Sequence, residues 1–200
     1  MSLADIEIST LAWLLLLAVI LIAGLSMVWS TVRTGMSPMP SSRSARRGVL
    51  TALEHIGGGQ PEQPIVDLGS GWGHLAIAVA RRYPDCPVRG YELALLPWLV
   101  SVLIARALRL HNLTFLHQDF LAAAERGQLG PVHTALTYLH GPGMARLSAA
   151  LTKHPGQLNW LISNNFALPD WQPERQWQLR DFYRSPLYLY ALDRVKKPNR

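Results

Sequence analysis

The stretch that most constrains the fold is residues 65–74, which read Ile-Val-Asp-Leu-Gly-Ser-Gly-Trp-Gly-His. Val66 and Leu68 are typical of a short buried strand, and three glycines then follow at every second position before an alanine-rich helical segment. Glycine permits positive φ and a close approach of a ligand to the backbone, and the N–H groups of an opening helix turn favour an anionic group. The stretch therefore predicts a strand, a tight turn and a helix that bind a nucleotide-like ligand.

Helix-like and strand-like segments alternate along the chain. Helices are predicted at residues 44–56, 74–82, 97–110, 120–126 and 144–153, and strands at residues 65–68, 88–92, 113–117, 132–138, 158–163, 176–183 and 187–194. The last two strands are joined across residues 184–186 as a hairpin. Such an alternation predicts an α/β, Rossmann-like fold with a mostly parallel seven-stranded sheet that ends in an antiparallel hairpin.

An uncharged apolar run precedes this domain. Residues 10–29 are long enough as a helix to cross a bilayer, because roughly 20 residues at about 1.5 Å each reach about 30 Å. Trp13 and Trp29 lie near its ends, where indole rings favour the interface. A cleavable signal peptide is the alternative, but Asp5 and Glu7 make the preceding segment acidic rather than basic. We expect one N-terminal transmembrane helix.

The expected domain organisation follows from these segments. It comprises an N-terminal tail (1–9), a transmembrane helix (10–30), a linker (31–44), an α/β domain (45–194) and a basic tail (195–200). Arginines follow the apolar run while no lysine or arginine precedes it, so the positive-inside rule places the domain on the cytoplasmic side of a single-pass membrane protein.

The charge distribution argues against nucleic acid as a partner. The formal net charge is +6. Once the two acidic residues Asp5 and Glu7 are subtracted, it is accounted for by eight basic residues near the two ends of the chain: Arg33, Arg43, Arg46, Arg47, Arg194, Lys196, Lys197 and Arg200. The body between them lacks the basic face that binding to a phosphate backbone requires. With one cysteine, Cys86, and no His-x-x-His pair, the sequence also predicts no metal site.

Three acidic residues lie at successive strand ends. Asp67 is in the first strand, Glu92 ends the second about 20–25 residues after the glycine turn, and Asp119 follows the third. In dinucleotide-binding folds, the carboxylate that accepts hydrogen bonds from the ribose hydroxyls lies at the end of the second strand, the position of Glu92. Ligands of open parallel sheets bind at this edge, so the three residues predict a nucleoside site.

From residue 49 to 194 the chain resembles the class I S-adenosylmethionine-dependent methyltransferases, through the glycine turn, Glu92, Asp119 and the closing hairpin. The resemblance implies S-adenosyl-L-methionine as cofactor, with the turn against its methionine part, Glu92 on the ribose, and Asp119 and Phe120 beside the adenine. The cofactor-binding residues it implies are Asp67, Gly69, Ser70, Gly71, Gly73, Glu92, Asp119 and Phe120.

A narrower resemblance is to the membrane-anchored protein-lysine methyltransferases, whose known members modify the mitochondrial adenine nucleotide carrier and the ATP synthase c-subunit. It is carried by residues 66–71, 90–93 and 97–100 and by Phe166, Pro169, Trp171 and Pro173. The chain departs from that family's pattern at Trp72 and His74, and by two extra residues between Glu92 and Pro97. The resemblance implies methyl transfer to a lysine of a membrane or membrane-associated protein.

Candidate residues for the acceptor site follow the fourth and fifth strands. They are Tyr138, His140, Asn164, Asn165, Phe166 and Trp171. Aromatic rings around an amine disfavour its charged form and lower its pKa, and asparagine oxygens can accept hydrogen bonds from it. Two alternatives stay open on the sequence: a lipid or quinone as methyl acceptor, and a non-catalytic membrane scaffold that retains the fold.

Overall fold

The computed structural model of the protein describes residues 3–34, 41–58 and 62–192. The helices in these residues are α1 (Leu3–Thr34), α2 (Arg43–His55), α3 (His74–Arg82), α4 (Leu95–Ala107), α5 (Phe120–Glu125) and α6 (Gly141–Lys153). The strands are β1 (Ile65–Leu68), β2 (Val88–Glu92), β3 (Leu113–His117), β4 (Val132–Thr137), β5 (Leu158–Asn164), β6 (Arg175–Gln178) and β7 (Pro186–Ala191).

The strands form one sheet in the order β3-β2-β1-β4-β5-β7-β6. The first five of these run parallel, and β7 is antiparallel to both of its neighbours, β5 and β6. The predicted fold class, a mostly parallel sheet closed by an antiparallel hairpin, is confirmed. Because β6 runs in the same direction as β5, the carboxyl ends of all strands except β7 lie at one edge of the sheet, which we call the carboxyl edge.

Side chains alternate between the two faces of the sheet and make two cores. Val66 and Leu68 of β1 pack with α5 and α6 on one face. Ile65 packs with α2, α3 and α4 on the other. Because helices cover both faces of the sheet, all four residues of β1 are buried, with no alternation between buried and exposed positions.

Several predicted boundaries differ from the structure by one to five residues, and two of these differences have a clear local reason. Helix α4 begins at Leu95 rather than residue 97, since Pro97 is compatible with the first helical turn, where its missing N–H costs nothing. Strand β6 ends at Gln178 rather than residue 183, because the Asp181 carboxylate accepts from the Ser185 N–H at 2.9 Å and turns the chain. Residues 179–185 are therefore a loop, which we call the β6–β7 loop.

Helix α1 extends beyond the predicted span at both ends. Its segment Thr10–Trp29 is long and apolar enough to cross a membrane, with a mean hydropathy of 2.7. None of its side chains that the structure describes is fully buried, and Ser26 and Met27 are half-buried. The predictions for residues 1–2, for the centre of the linker (35–40), for the turn residues 60–61, for the last two residues of the final strand (193–194) and for the basic tail (195–200) lie outside the described residues.

Candidate active site

The glycine turn connects β1 to α3 at the carboxyl edge. Gly69, Gly71 and Gly73 have φ of 84°, 54° and 79°, values that side chains disfavour, so the three glycines give the turn its shape. The N–H groups of Gly69 and Ser70 both donate to the Tyr91 carbonyl, at 3.0 and 2.8 Å. These bonds fix the turn against the end of β2.

Most N–H groups of the glycine turn are not available to a ligand. Besides the two bonds to Tyr91, the Gly73 N–H donates to the Ser70 carbonyl at 2.9 Å and the Gly71 N–H to Glu92 at 2.8 Å. These donors are used within the protein, because the turn folds back on itself and onto β2. The turn is therefore unlike a phosphate-binding loop and suits a ligand without phosphate groups.

Glu92 links the two strands of this half of the site. Its two carboxylate oxygens accept from the backbone N–H groups of Gly71, at 2.8 Å, and Ala94, at 2.7 Å. The side chain is buried, with 8 % of the residue exposed. Burial raises the pKa of Glu92, while the backbone N–H donors act in the opposite direction. Each oxygen can accept a second hydrogen bond, so the carboxylate could still bind two hydroxyl groups.

Asp67 lies deeper, in β1. Burial, and then the negative charge of Glu92, raise the pKa of Asp67 from its ordinary value of 3.8 to about 7, and the backbone N–H of Ala76 lowers it in part. Its Oδ2 has no hydrogen-bond partner among the described residues, and neither has the hydroxyl of Ser70 in the adjoining turn. Buried polar atoms are seldom left unpaired, so these two oxygens indicate that a ligand with hydrogen-bond donors completes the site.

Of the remaining cofactor candidates, Phe120 lies beside the turn and Gly73 has a packing role. A Cβ added at Gly69 would come within 3.8 Å of the Phe120 ring. A Cβ at Gly73 would lie 2.7 Å from Phe115 and 2.8 Å from Ser101, so the absence of a side chain lets α3 pack closely on the protein itself. Asp119 caps α5, accepting from the Ala122 N–H at 3.2 Å.

Aromatic and polar side chains lie at the ends of β4 and β5, in the other half of the carboxyl edge. Tyr138 is 41 % exposed, and its ring lies 5.7 Å from that of Phe166. Asn164 ends β5, and its Oδ1 is buried without a partner among the described residues. Asn165 follows in the left-handed region, with φ of 72°, and its N–H donates to the Pro186 carbonyl at 2.8 Å.

Two of the acceptor-site candidates, His140 and Trp171, lie apart from the group formed by Tyr138, Asn164 and Phe166. His140 is the N-cap residue of α6, where its side chain forms no capping hydrogen bond. Trp171 packs against the core, and its indole N–H donates to Ser148 at 3.1 Å, about 12 Å along α6 from His140. The structure thus gathers Tyr138, Asn164 and Phe166 more closely than it does Trp171.

Sequence reasoning missed Thr137. This residue ends β4, is only 3 % exposed, and its Oγ1 has no partner among the described residues. It pairs with Ser163 across the parallel ladder, one residue before Asn164. A polar residue closing the apolar run Ala135-Leu136 is a signal that could have identified it. Within the described ranges, no group of three or more His, Cys, Asp or Glu side chains could hold a metal ion.

Comparison with known proteins agrees with this architecture. An RNA methyltransferase from Salinibacter ruber, solved with S-adenosyl-L-homocysteine, is 18 % identical, with a TM-score of 0.65 over 80 % of this chain and 98 % of that one. The putative methyltransferase yhhF from Escherichia coli is 14 % identical, with a TM-score of 0.60 over 78 % and 88 %. At these identities the similarity shows the fold. No curated protein sequence matches the chain.

Strand order, glycine turn and buried glutamate together define a class I S-adenosylmethionine-dependent methyltransferase. Residues 67–175, more than half of the chain, match the sequence profile of the family described as the ANTKMT methyltransferase domain, and the chain belongs to this family. Its cofactor is S-adenosyl-L-methionine. This assignment as an enzyme replaces the alternative of a non-catalytic scaffold.

Proposed function

We propose that the protein is a membrane-anchored methyltransferase that transfers a methyl group to a lysine of a membrane or membrane-associated protein. The observation that carries the proposal is the contact between α1 and the domain. The Leu95 N–H, three residues after Glu92, donates to Ser26 Oγ of α1 at 3.2 Å. A helix long enough to cross a bilayer therefore meets the domain at the carboxyl edge, beside the cofactor half of the site.

The residues around the glycine turn fit the proposed cofactor. Glu92 accepts from the ribose hydroxyls with the lone pairs that its two backbone donors leave free. The unpaired oxygens of Asp67 and Ser70 suit the donors of the methionine part, and a nearby cation would stabilise the Asp67 carboxylate. Phe120, beside Gly69, and Asp119 border the adenine. When bound, the cofactor supplies an electrophilic methyl group on a sulfonium.

The second half of the edge holds the acceptor amine. A lysine must lose its proton to act as a nucleophile, and enclosure by the Tyr138 and Phe166 rings disfavours its charged form. The free oxygens of Asn164 and Thr137 can accept hydrogen bonds from the amine and hold its lone pair toward the methyl group. His140, Asn165 and Trp171 stay candidates for this site, with roles that depend on the bound acceptor.

The membrane topology forms part of the proposal. Arg43, Arg46 and Arg47 follow the apolar helix, and the segment before it contains Asp5 and Glu7 but neither lysine nor arginine. Basic residues near the end of a span favour the cytoplasmic side, so we place the catalytic domain there. A cleaved signal sequence is the alternative for Thr10–Trp29, and detection of an intact N-terminus in mature protein from membranes would exclude it.

A lipid or quinone acceptor is the second candidate, because the same anchor would bring the site to such a substrate. Native membranes are incubated with the full chain and radiolabelled cofactor, and are then extracted with organic solvent. The lysine proposal predicts label in the protein fraction, and peptide mass spectrometry then finds methyllysine. The Glu92→Ala chain serves as the inactive control. Label that partitions into the solvent would contradict the proposal and favour the lipid or quinone.

A further inference from the structure

The β6–β7 loop carries two exposed aromatic side chains. Phe182 is 94 % exposed and Tyr183 is 84 % exposed, more than any other large hydrophobic side chain among the described residues. Their rings meet edge to face, with centroids 5.3 Å apart. Aromatic residues exposed to this degree at a loop tip mark an interaction site.

Hydrogen bonds at its base hold the loop in one shape. The Asp181 carboxylate accepts from the Ser185 N–H at 2.9 Å, and the Arg184 N–H donates to the Asp181 carbonyl at 3.2 Å. The Leu179 N–H donates to the Ser185 carbonyl at 2.9 Å, and the Leu179 side chain is buried in the core. The two rings are therefore presented by a fixed turn, so little further ordering is needed on binding.

The sheet topology places this loop at the carboxyl edge, next to the acceptor half of the site. Gln178, at the end of β6, pairs with Pro186, and Leu187 pairs with Asn164 at the end of β5. The Asn165 N–H donates to the carbonyl of Pro186, directly after the loop. Phe182 and Tyr183 therefore extend from the edge at which methyl transfer is proposed.

Helix α1 reaches the same edge at the opposite end of the sheet. Ser26, which accepts from Leu95, lies only three residues before Trp29, the end of the apolar span. Three residues of helix correspond to about 4.5 Å, so a bilayer that contains the span would have its surface close to Leu95. From β2 to β6 the edge extends about 24 Å, at about 4.8 Å per strand.

The charge near the loop is complementary to anionic lipids. Arg180 and Arg184 are exposed on either side of the two rings, and Asp181 is the one acidic residue of the loop. The contacts of helix α2 give its direction along β6: its last residue, His55, approaches Arg175 at the start of β6, and Gly48 lies beside Leu179, just after the end of β6. The helix therefore runs with its basic N-terminal turn, Arg43, Arg46 and Arg47, toward the carboxyl edge.

We propose that the β6–β7 loop is a second membrane contact, in which Phe182 and Tyr183 insert into the headgroup region while Arg180 and Arg184 bind lipid phosphates. The proposal rests on the proposed anchoring by α1. Aromatic rings favour the bilayer interface, and each basic residue near an anionic surface contributes about 1 kcal/mol. With two attachments about 24 Å apart, the carboxyl edge faces the bilayer, and an acceptor lysine is reached at the membrane surface.

The test places an environment-sensitive fluorophore at one of three positions of the full chain, each in a separate cysteine variant. Tyr183→Cys reports on the loop, Leu17→Cys on the apolar span, and His111→Cys on an exposed site at the opposite edge of the sheet. The native Cys86 is only 2 % exposed and is protected from the reagent. The chains are reconstituted in phosphatidylcholine vesicles with and without phosphatidylglycerol, containing nitroxide-labelled lipids as quenchers.

We expect quenching of the Tyr183 label to be closer to that of the Leu17 label than to that of the His111 label, and to increase with phosphatidylglycerol. A quenched Leu17 label beside an unquenched Tyr183 label would overturn the loop contact and leave the anchor intact. Shielding of the Tyr183 label that requires an acceptor protein would also overturn it, in favour of a protein-binding loop. An unquenched Leu17 label would overturn both the anchor and the second contact.

Discussion

The two halves of the carboxyl edge are held in different ways. Around β1 and β2, backbone N–H groups fix the site: Glu92 is bonded to Gly71 and Ala94, and the turn is bonded to Tyr91. Around β4 and β5, the side-chain oxygens of Thr137 and Asn164 have no hydrogen-bond partner among the described residues, and Tyr138 is 41 % exposed. The first half is preorganised for the small ligand that we propose there, whereas the second half, by the same proposal, is completed by the acceptor that enters it.

The largest expected effect is in the preorganised half. Glu92→Ala removes the carboxylate that we propose accepts two charge-assisted hydrogen bonds from the ribose, worth about 1.5–3 kcal/mol each, and leaves two backbone N–H groups unpaired. We expect the affinity for S-adenosylhomocysteine to fall at least about a hundredfold in calorimetry. Glu125→Ala, which disrupts an exposed ion pair with Arg146, is the matched control. An unchanged affinity in Glu92→Ala would show that this half does not bind the cofactor.

A second prediction concerns stability against pH. Burial raises the pKa of Asp67 to about 7 in the folded protein, whereas an unfolded chain titrates near 3.8. The folded state therefore holds a proton between these values that the unfolded state has released, and stability falls as pH rises through this range. Asp67→Asn should increase the free energy of unfolding at pH 8 by up to about 4 kcal/mol, and have almost no effect below pH about 4.

The measurement for Asp67→Asn is denaturant unfolding of both chains in detergent, without cofactor, across that pH range. A difference between the two chains that does not change with pH would show that the carboxyl group titrates normally and is not desolvated. The same variant should bind S-adenosylhomocysteine more weakly, because the amide cannot neutralise a cationic donor. A stabilised but weakly binding variant is the expected combination at a functional site.

The third prediction separates packing from ligand binding within the glycine turn. Gly73→Ala places a methyl group 2.7 Å from Phe115 and 2.8 Å from Ser101, at φ of 79°. We expect a loss of about 3 kcal/mol in the free energy of unfolding, with the cofactor affinity of the folded fraction changed only slightly. Thermal melts with and without cofactor check this. Full stability together with lost affinity would instead place Gly73 against the ligand.

The smallest effect is expected in the acceptor half. Asn164→Leu keeps the approximate volume of the side chain and removes the oxygen that is free to accept from an amine. One neutral hydrogen bond is worth about 0.5–1.5 kcal/mol, so kcat/KM for the acceptor should fall about three- to tenfold. Affinity for S-adenosylhomocysteine should be unchanged, which provides an internal control. A loss of cofactor affinity of similar size would remove the distinction between the halves.

The sequence specifies the first half more fully than the second for a physical reason. Glycines spaced as in Gly69-x-Gly71-x-Gly73 permit only a few backbone shapes, and Glu92 ends the neighbouring strand, so spacing alone predicts their meeting. What spacing could not predict is that the turn would use its N–H groups internally, since that depends on the register of β1 against β2.

The arrangement of the second half depends on contacts between side chains that cannot be predicted from the spacing of residues along the sequence. Thr137 and Asn164 meet because β4 and β5 are parallel neighbours in a particular register. Trp171 follows the fifth strand in sequence but turns to Ser148 on α6. Most of the β6–β7 loop is predicted as strand, because its aromatic residues have high β-propensity. The strand ends early because hydrogen bonds within the loop, such as that from the Ser185 N–H to the Asp181 carboxylate, turn the chain.

We propose that one half of the carboxyl edge, around β1 and β2, binds the cofactor and that the other half, around β4 and β5, does not. Hydrogen exchange of the full chain, with and without S-adenosylhomocysteine, tests this claim most directly. If the β1–β2 half alone binds the cofactor, peptides that cover residues 69–73 and 93–94 should exchange more slowly on binding, while those that cover residues 138–143 and 164–167 should not change. Slower exchange only at residues 138–143 and 164–167, or equal slowing in both halves, would contradict this account.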